Sequence, residues 1–174
     1  MSKEWTIKTI GALCDEGEGS VQTGPFGSQL HASDYIVSDE GIPVVMPVNL
    51  VNSQIKREGI ACIGQEDYKR LEKYHLQLGD IVYARRGDIG RQALVTEREV
   101  GWLCGTGCLR IRFNNPNIDP RYISYYLSQE HVKEYVLSSA VGTTMPNLNT
   151  QILRGIPIRY PAYKVQKEII EVLG

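Results

Sequence analysis

From Leu76 to Phe113, in the middle of this chain, the pattern of apolar and polar positions reads as extended segments whose side chains fall alternately on two faces. After Gly79-Asp80, the residues Ile81, Tyr83 and Arg85 fall on one face of an extended segment, and Val82, Ala84 and Arg86 on the other. Gly87-Asp88-Ile89-Gly90 then supplies residues that tolerate positive φ, so the chain can reverse into a return strand over 91–96. Leu109, Ile111 and Phe113 form the apolar face of a further strand, whose other face carries Arg110 and Arg112.

Elsewhere the period lengthens to that of a helix. Gln65 to Tyr74 predicts a short helix burying Tyr68, Leu71 and Tyr74, with its interleaved Lys, Arg, Glu and Asp on a solvated face. Asp119-Pro120 is a strong helix start, with a capping carboxylate and proline in the first turn. That helix continues through Tyr122, Ile123, Tyr126 and Leu127, and a second pattern follows at Val132, Tyr135 and Val136. Gly41 to Asn49 reads as an apolar strand bracketed by Pro43 and Pro47, which predicts a short or edge position. Tyr163 to Gly174 begins a helical seam with Val165, Ile169 and Val172 at spacings of four and three. This can be the start of a longer helix or an ordinary helix folding back on the core.

Together these patterns predict one mixed α/β or α+β domain with a twisted mixed sheet and hairpins. The length of 174 residues is enough for a real core, and 42% hydrophobic with 22% charged residues is ordinary for a soluble globular protein. No apolar run approaches the roughly 20 residues that cross a bilayer. The opening MSKEWTIKTIG is too polar for a signal peptide, so the expectation is a cytoplasmic protein away from membranes. Cys14, Cys62, Cys104 and Cys108 form no C-x-x-C pair, and His31, His75 and His131 lie apart. Buried reduced thiols are expected, with no metal site.

No nucleophile elbow, zinc-protease motif or glycine-rich nucleotide loop is present, and Asn115-Pro116-Asn117 lacks the second proline and the aromatic of a base-flipping tetrad. Neither a catalytic centre nor a cofactor is expected. A hairpin tipped by Arg85, Arg86 and Arg91, beside Arg110 and Arg112, suits a surface that meets phosphates. Arginines at strand ends also simply solubilise a sheet edge. A net charge of −1, from 19 basic and 20 acidic residues, counts against wholesale coating of nucleic acid but not against local placement of arginines. In Val21 to Leu30, Phe26 sits between Gly24-Pro25 and Gly27. It is either a core plug under the loop or part of a loop whose backbone N–H groups, with Thr23 and Ser28, clamp a phosphate.

The order of these pieces resembles a family. GPFGSQL, GIPVVMPVNL, LQLGDIVYARRGDIGRQALV, CLRIRF, DPRYISYYL, GTTMPNLN and ILRGIPIRYPAYKVQKEIIEVL follow one another across nearly the whole chain. The chain resembles a target recognition domain of the DNA specificity subunit of type I restriction–modification systems. Its most specific parts are the L-x-x-G-D-I-V…G-D-I-G block and the final strand-Pro-helix with Gln166 and Ile169.

The resemblance implies a recognition domain over 1–160 and the beginning of a spacer helix over 161–174. It implies non-catalytic reading of one half of a bipartite site in double-stranded DNA. Methyltransferase subunits would dock on the spacer helices, and the restriction/translocase subunit would join indirectly. The chain departs from the pattern in carrying a single recognition domain, which points to a truncated chain or to a half-size subunit that restores two-fold reading as a homodimer. It departs again at Val165, where an acidic residue often precedes the helix glutamine. Two other readings stand beside this one: the recognition domain of a single-chain restriction–methylation or phage-defence methyltransferase, and a protein-interaction module that binds a methyltransferase without reading DNA.

Base readout needs paired donors and acceptors, which Arg, Asn and Gln supply. The expected DNA-binding residues are Arg85, Arg86, Arg91, Gln92, Arg110, Arg112, Thr143, Thr144, Asn147 and Asn149. Ser28, Gln29, Lys56 and Arg57 are expected on phosphates, and Val165, Ile169 and Val172 at the partner helix interface.

Overall fold

The computed structural model describes residues 4–37, 39–140 and 147–174. The strands are β1 (Thr6–Thr9), β2 (Ser20–Thr23), β3 (Tyr35–Ile36), β4 (Ile42–Val45), β5 (Leu50–Val51), β6 (Gln54–Ile55), β7 (Ala61–Ile63), β8 (Ile81–Ala84), β9 (Gln92–Leu94), β10 (Leu103–Cys104), β11 (Cys108–Arg112) and β12 (Pro157–Tyr160). The α-helices are α1 (Ile10–Glu16), α2 (Gln65–Arg70), α3 (Pro120–Leu127), α4 (Glu130–Ser139), α5 (Thr150–Arg154) and α6 (Tyr163–Leu173). Helix and strand thus mix as expected.

Among the described residues the strands form two four-stranded sheets, β2-β11-β8-β9 and β10-β4-β7-β3, and the ribbons β1-β12 and β5-β6. The first sheet is antiparallel throughout, and its alternation builds the core. Ile81, Tyr83, Leu109 and Ile111 turn to one side, where they join Ile10, Leu13, Ile123, Leu127, Leu153 and Ile158. Val82, Ala84, Ala93 and Cys108 turn to the other, against Val45, Leu50, Ile55 and Trp102. All four residues of β8 are therefore buried, which accounts for its unbroken apolar run. The hairpin turn behaves as its glycines require, with Gly87 at φ +78 and Gly90 at φ +109.

The second sheet decides between the two alternatives for the proline-bracketed strand. The strand bracketed by prolines is short, but it lies inside the sheet between β10 and β7, not at an edge. Its ladder accommodates Pro43 because Pro43 pairs with Cys62 on one side, while β10 engages the other side only at Val44 and Val45.

The helix starts follow their caps. Asp119 accepts from the Arg121 N–H, and Asn149 accepts from Ile152 N at 2.7 Å to start α5. The four cysteines are free and buried, and loss of solvent pushes the Cys14 thiol up to about 11 and Cys104 to about 12. Helix α6 packs on the core through Ile169 and Ile170. Fully buried Gln166 fixes it: its Oε1 accepts from Asp119 N at 2.9 Å, and its Nε2 donates to the Asn117 and Pro161 carbonyls, each at 2.9 Å.

Candidate nucleic-acid interface

Four segments that are far apart in sequence meet at the C-terminal end of β8. The backbone of Arg85 donates to the Gly107 carbonyl at 2.8 Å, and its carbonyl accepts from Leu148 N at 2.7 Å. Arg86 pairs with Asn147 as an isolated antiparallel bridge. The turn from Gly105 to Gly107 lies directly beneath the Gly24 loop. Gly24 N donates to the Cys108 carbonyl at 2.9 Å, and the Thr106 hydroxyl donates to the Pro25 carbonyl at 2.7 Å. A Cβ on Gly24 would stand 2.0 Å from the Gly105 oxygen, so only glycine permits this approach.

The loop from Pro25 to Leu30 is tied down from behind. The Gln29 side-chain oxygen accepts from Phe26 N at 3.0 Å and from the Tyr74 hydroxyl at 2.9 Å. Arg70 donates to the Gln29 carbonyl at 2.5 Å. Held this way, Phe26 is not the core plug that one reading of the sequence offered. It is 54% exposed at the loop tip, and the Arg85 guanidinium sits 5.8 Å from its ring centre. Ser28, in the same loop, is exposed, as are the bridged residues Arg86 and Asn147. This end of the sheet thus offers guanidinium, hydroxyl and amide groups to solvent.

The other candidates divide sharply. Lys56 and Arg57 are exposed after β6, with Arg57 lying 5.8 Å over Trp102. Arg91 is exposed in the hairpin turn and pairs with Asp88 at 2.9 Å, in a polar cleft of about 270 Å³ that Lys133 also lines. Asn149 is exposed, but its side-chain oxygen is spent on the α5 cap. Gln29 likewise uses its side-chain oxygen within the loop. Thr143 and Thr144 lie outside the described residues. Of the expected helix seam, Val172 is 85% exposed while Val165 and Ile169 are half-buried.

Three residues expected on the surface are internal. Gln92 is buried, donating to the Ser53 hydroxyl at 2.9 Å and accepting from Ser124 at 2.8 Å. Arg112 makes a two-pronged pair with buried Asp80, at 2.8 and 2.7 Å, and reaches the His75 carbonyl. Arg110 is 3% exposed and donates to Ser20 Oγ at 3.0 Å and Gln22 Oε1 at 2.8 Å. Burial lowers the Arg110 pKa from its ordinary value, and neighbouring Arg112 adds to the effect. The face of β11 that carries them is covered by the second core layer, so these arginines bind the fold together and are not displayed. Conversely, Phe26 was not among the expected contact residues. Its signal was present all the same: a large apolar side chain flanked by glycines in a loop has no local reason to be buried.

A family model for the type I restriction modification DNA specificity domain matches residues 3–174. The chain belongs to this family. Its fold is shared with a chain of a type I R-M system solved for its complex assembly and conformational transition, at TM-score 0.71 and 17% identity over 99% of this chain and 38% of that one. The HsdS subunit from Thermoanaerobacter tengcongensis superposes at TM-score 0.68 and 17% identity over 99% of this chain and 37% of that one. A type I restriction-modification S subunit from M. genitalium gives TM-score 0.64 and 20% identity, covering 99% and 38%. This specificity-domain chain thus spans well under half the length of these solved structures. No curated protein matches it. Among the described residues, no three His, Cys, Asp or Glu side chains gather as a metal site, and no helix is long and apolar enough to cross a membrane.

Proposed function

We propose that this specificity domain reads one half of a bipartite site in double-stranded DNA, and that separate subunits carry out methylation and cleavage. The observation that carries the reading is the meeting of four separate segments at one end of β8, where Arg85 lies against the Phe26 ring and exposed Arg86 is bridged to exposed Asn147. Exposed Arg86 suits a guanine edge or a phosphate, and the Asn147 amide suits an adenine edge. Lys56 and Arg57 add sequence-independent phosphate contacts. Thr143 and Thr144 precede Asn147 in the sequence and belong to the proposed reading segment. The partners are methyltransferase subunits and, through them, the restriction/translocase subunit, in the cytoplasm. Residues 161–174, which contain α6, are the beginning of the spacer, with exposed Val172 available to a partner helix. A half-size subunit would complete two-fold reading as a homodimer.

Methylome sequencing of a host carrying the intact gene cluster tests this. A split methylated motif that vanishes on deletion of this gene is expected, and an unchanged methylome rejects the proposal. A second reading, the recognition domain of a single-chain restriction–methylation enzyme, draws support from the type IIG restriction endonuclease BpuSI. That enzyme matches at TM-score 0.63 and 12% identity, over 96% of this chain and 26% of that one. A methyltransferase domain translated on the same polypeptide would decide for it.

A further inference from the structure

We propose that Phe26 is a positioning residue: its ring is the platform that holds the Arg85 guanidinium toward a phosphodiester oxygen of the duplex. This rests on the DNA-reading function proposed above and assigns a role to a side chain that carries no charge. Three observations converge on it. A phenylalanine 54% exposed at a loop tip is held there by a rigid frame: the Gln29 staple, the Thr106 bond to Pro25 and the close approach of Gly24 to Gly105. A frame of that kind would be superfluous if the ring had nothing to meet. The ring faces Arg85 at 5.8 Å, and the Arg85 Nε is buried without a hydrogen-bond partner among the described residues. The contact with the ring leaves the guanidinium charge uncompensated, because no salt bridge joins Arg85 to a carboxylate among the described residues. Finally, Ser28, two residues after Phe26, exposes a hydroxyl on the same loop. Guanidinium and hydroxyl donors suit a ligand that offers only acceptor oxygens, and a phosphodiester does so at every step of the duplex.

The contact is sequence-independent, so it can be measured without knowing the recognition site. Fluorescence anisotropy of this chain with a labelled random-sequence duplex, over a salt series, compares wild type with Arg85→Ala, Phe26→Ala, Phe26→Tyr and the double alanine variant. Arg85→Ala is expected to bind roughly tenfold more weakly, with a salt slope shallower by about one unit. Phe26→Ala loses roughly three- to five-fold. Phe26→Tyr, which keeps the ring, binds as wild type does. The double variant is no weaker than Arg85→Ala alone, because both changes remove one unit. Thermal melts accompany each variant and should not shift for Phe26→Ala.

Losses that simply add, or a Phe26→Ala defect that tracks a lowered melting point and is not restored by Tyr, overturn the inference. So does wild-type affinity in Phe26→Ala. Failure of the wild-type chain to bind duplex at all speaks instead against the function proposed above.

Discussion

Strands β8 and β11 lie side by side in one sheet, and each carries a pair of arginines at one end of the hairpin block, yet the two pairs have opposite fates. Arg110 and Arg112 on β11 are drawn inward, one onto Ser20 and Gln22 and the other onto the Asp80 carboxylate. At the end of β8, Arg85 is half-buried against the Phe26 ring, and Arg86 is exposed where it bridges to Asn147. The difference lies in what covers each position. The arginine face of β11 has β2 and β8 on either side and the second core layer above it. The end of β8 runs past its last ladder partner and is held there by the Gly107 turn and the Asn147–Leu148 segment. In this domain, arginine is a structural cation where the sheet continues and is left without a carboxylate partner among the described residues where it stops.

The largest expected effect comes from breaking the inner pair. Asp80→Asn leaves Arg112 without its counter-charge in a site where Asp80 is 1% exposed. A cost of about 3–5 kcal/mol is expected, read as a melting point lower by roughly 10 °C. An unshifted melt would place Arg112 with the solvated arginines. Glu99 extends the test to pH. Its burial alone would raise its pKa, but the Thr96 N–H and hydroxyl and the Arg98 guanidinium outweigh that and hold it below the ordinary 4.5. Because the folded value is depressed, Glu99 contributes its full stability above about pH 4.5, and that contribution fades as pH falls through the lowered value. Glu99→Gln should therefore flatten the acid limb of stability against pH, costing about 1–2 kcal/mol near neutrality. Equal acid sensitivity in the variant and wild type would contradict this.

The outer pair should behave in the reverse manner. Arg86→Ala is expected to leave the melting point within about 0.5 kcal/mol of wild type while weakening duplex binding and lowering the salt slope by about one unit. Unchanged binding and slope would remove Arg86 from the contact face. The smallest effect on binding is expected at Arg110→Met, which fills a similar volume and removes a buried cation whose Nη1 has no partner among the described residues. Stability should move by no more than about 1–2 kcal/mol in either direction, with duplex affinity unchanged. A loss of affinity without a loss of stability would return Arg110 to the DNA surface.

Much of this was legible in the chain. The alternation of Ile81 to Ala84 and of Leu109 to Phe113, the glycine turn, and the Asp119 cap of α3 all appear where they were expected. Gln166 was singled out only as part of a motif, and its three hydrogen bonds to the Asp119 segment and the Pro161 turn explain why a glutamine stands there. The placement of Pro43 inside a sheet was missed, because whether an absent N–H matters depends on where the neighbouring strand ends. Gln92 was misplaced for a related reason: its partners, Ser53 and Ser124, come from two distant elements.

By itself the sequence determined which residues share a strand face, where the chain turns and where helices begin, since these follow from stereochemistry over a few neighbouring residues. Only the tertiary structure decided which of those faces meets solvent. An arginine's surroundings are set by segments as much as 90 positions away, as Ser20 is from Arg110, and no local periodicity encodes them.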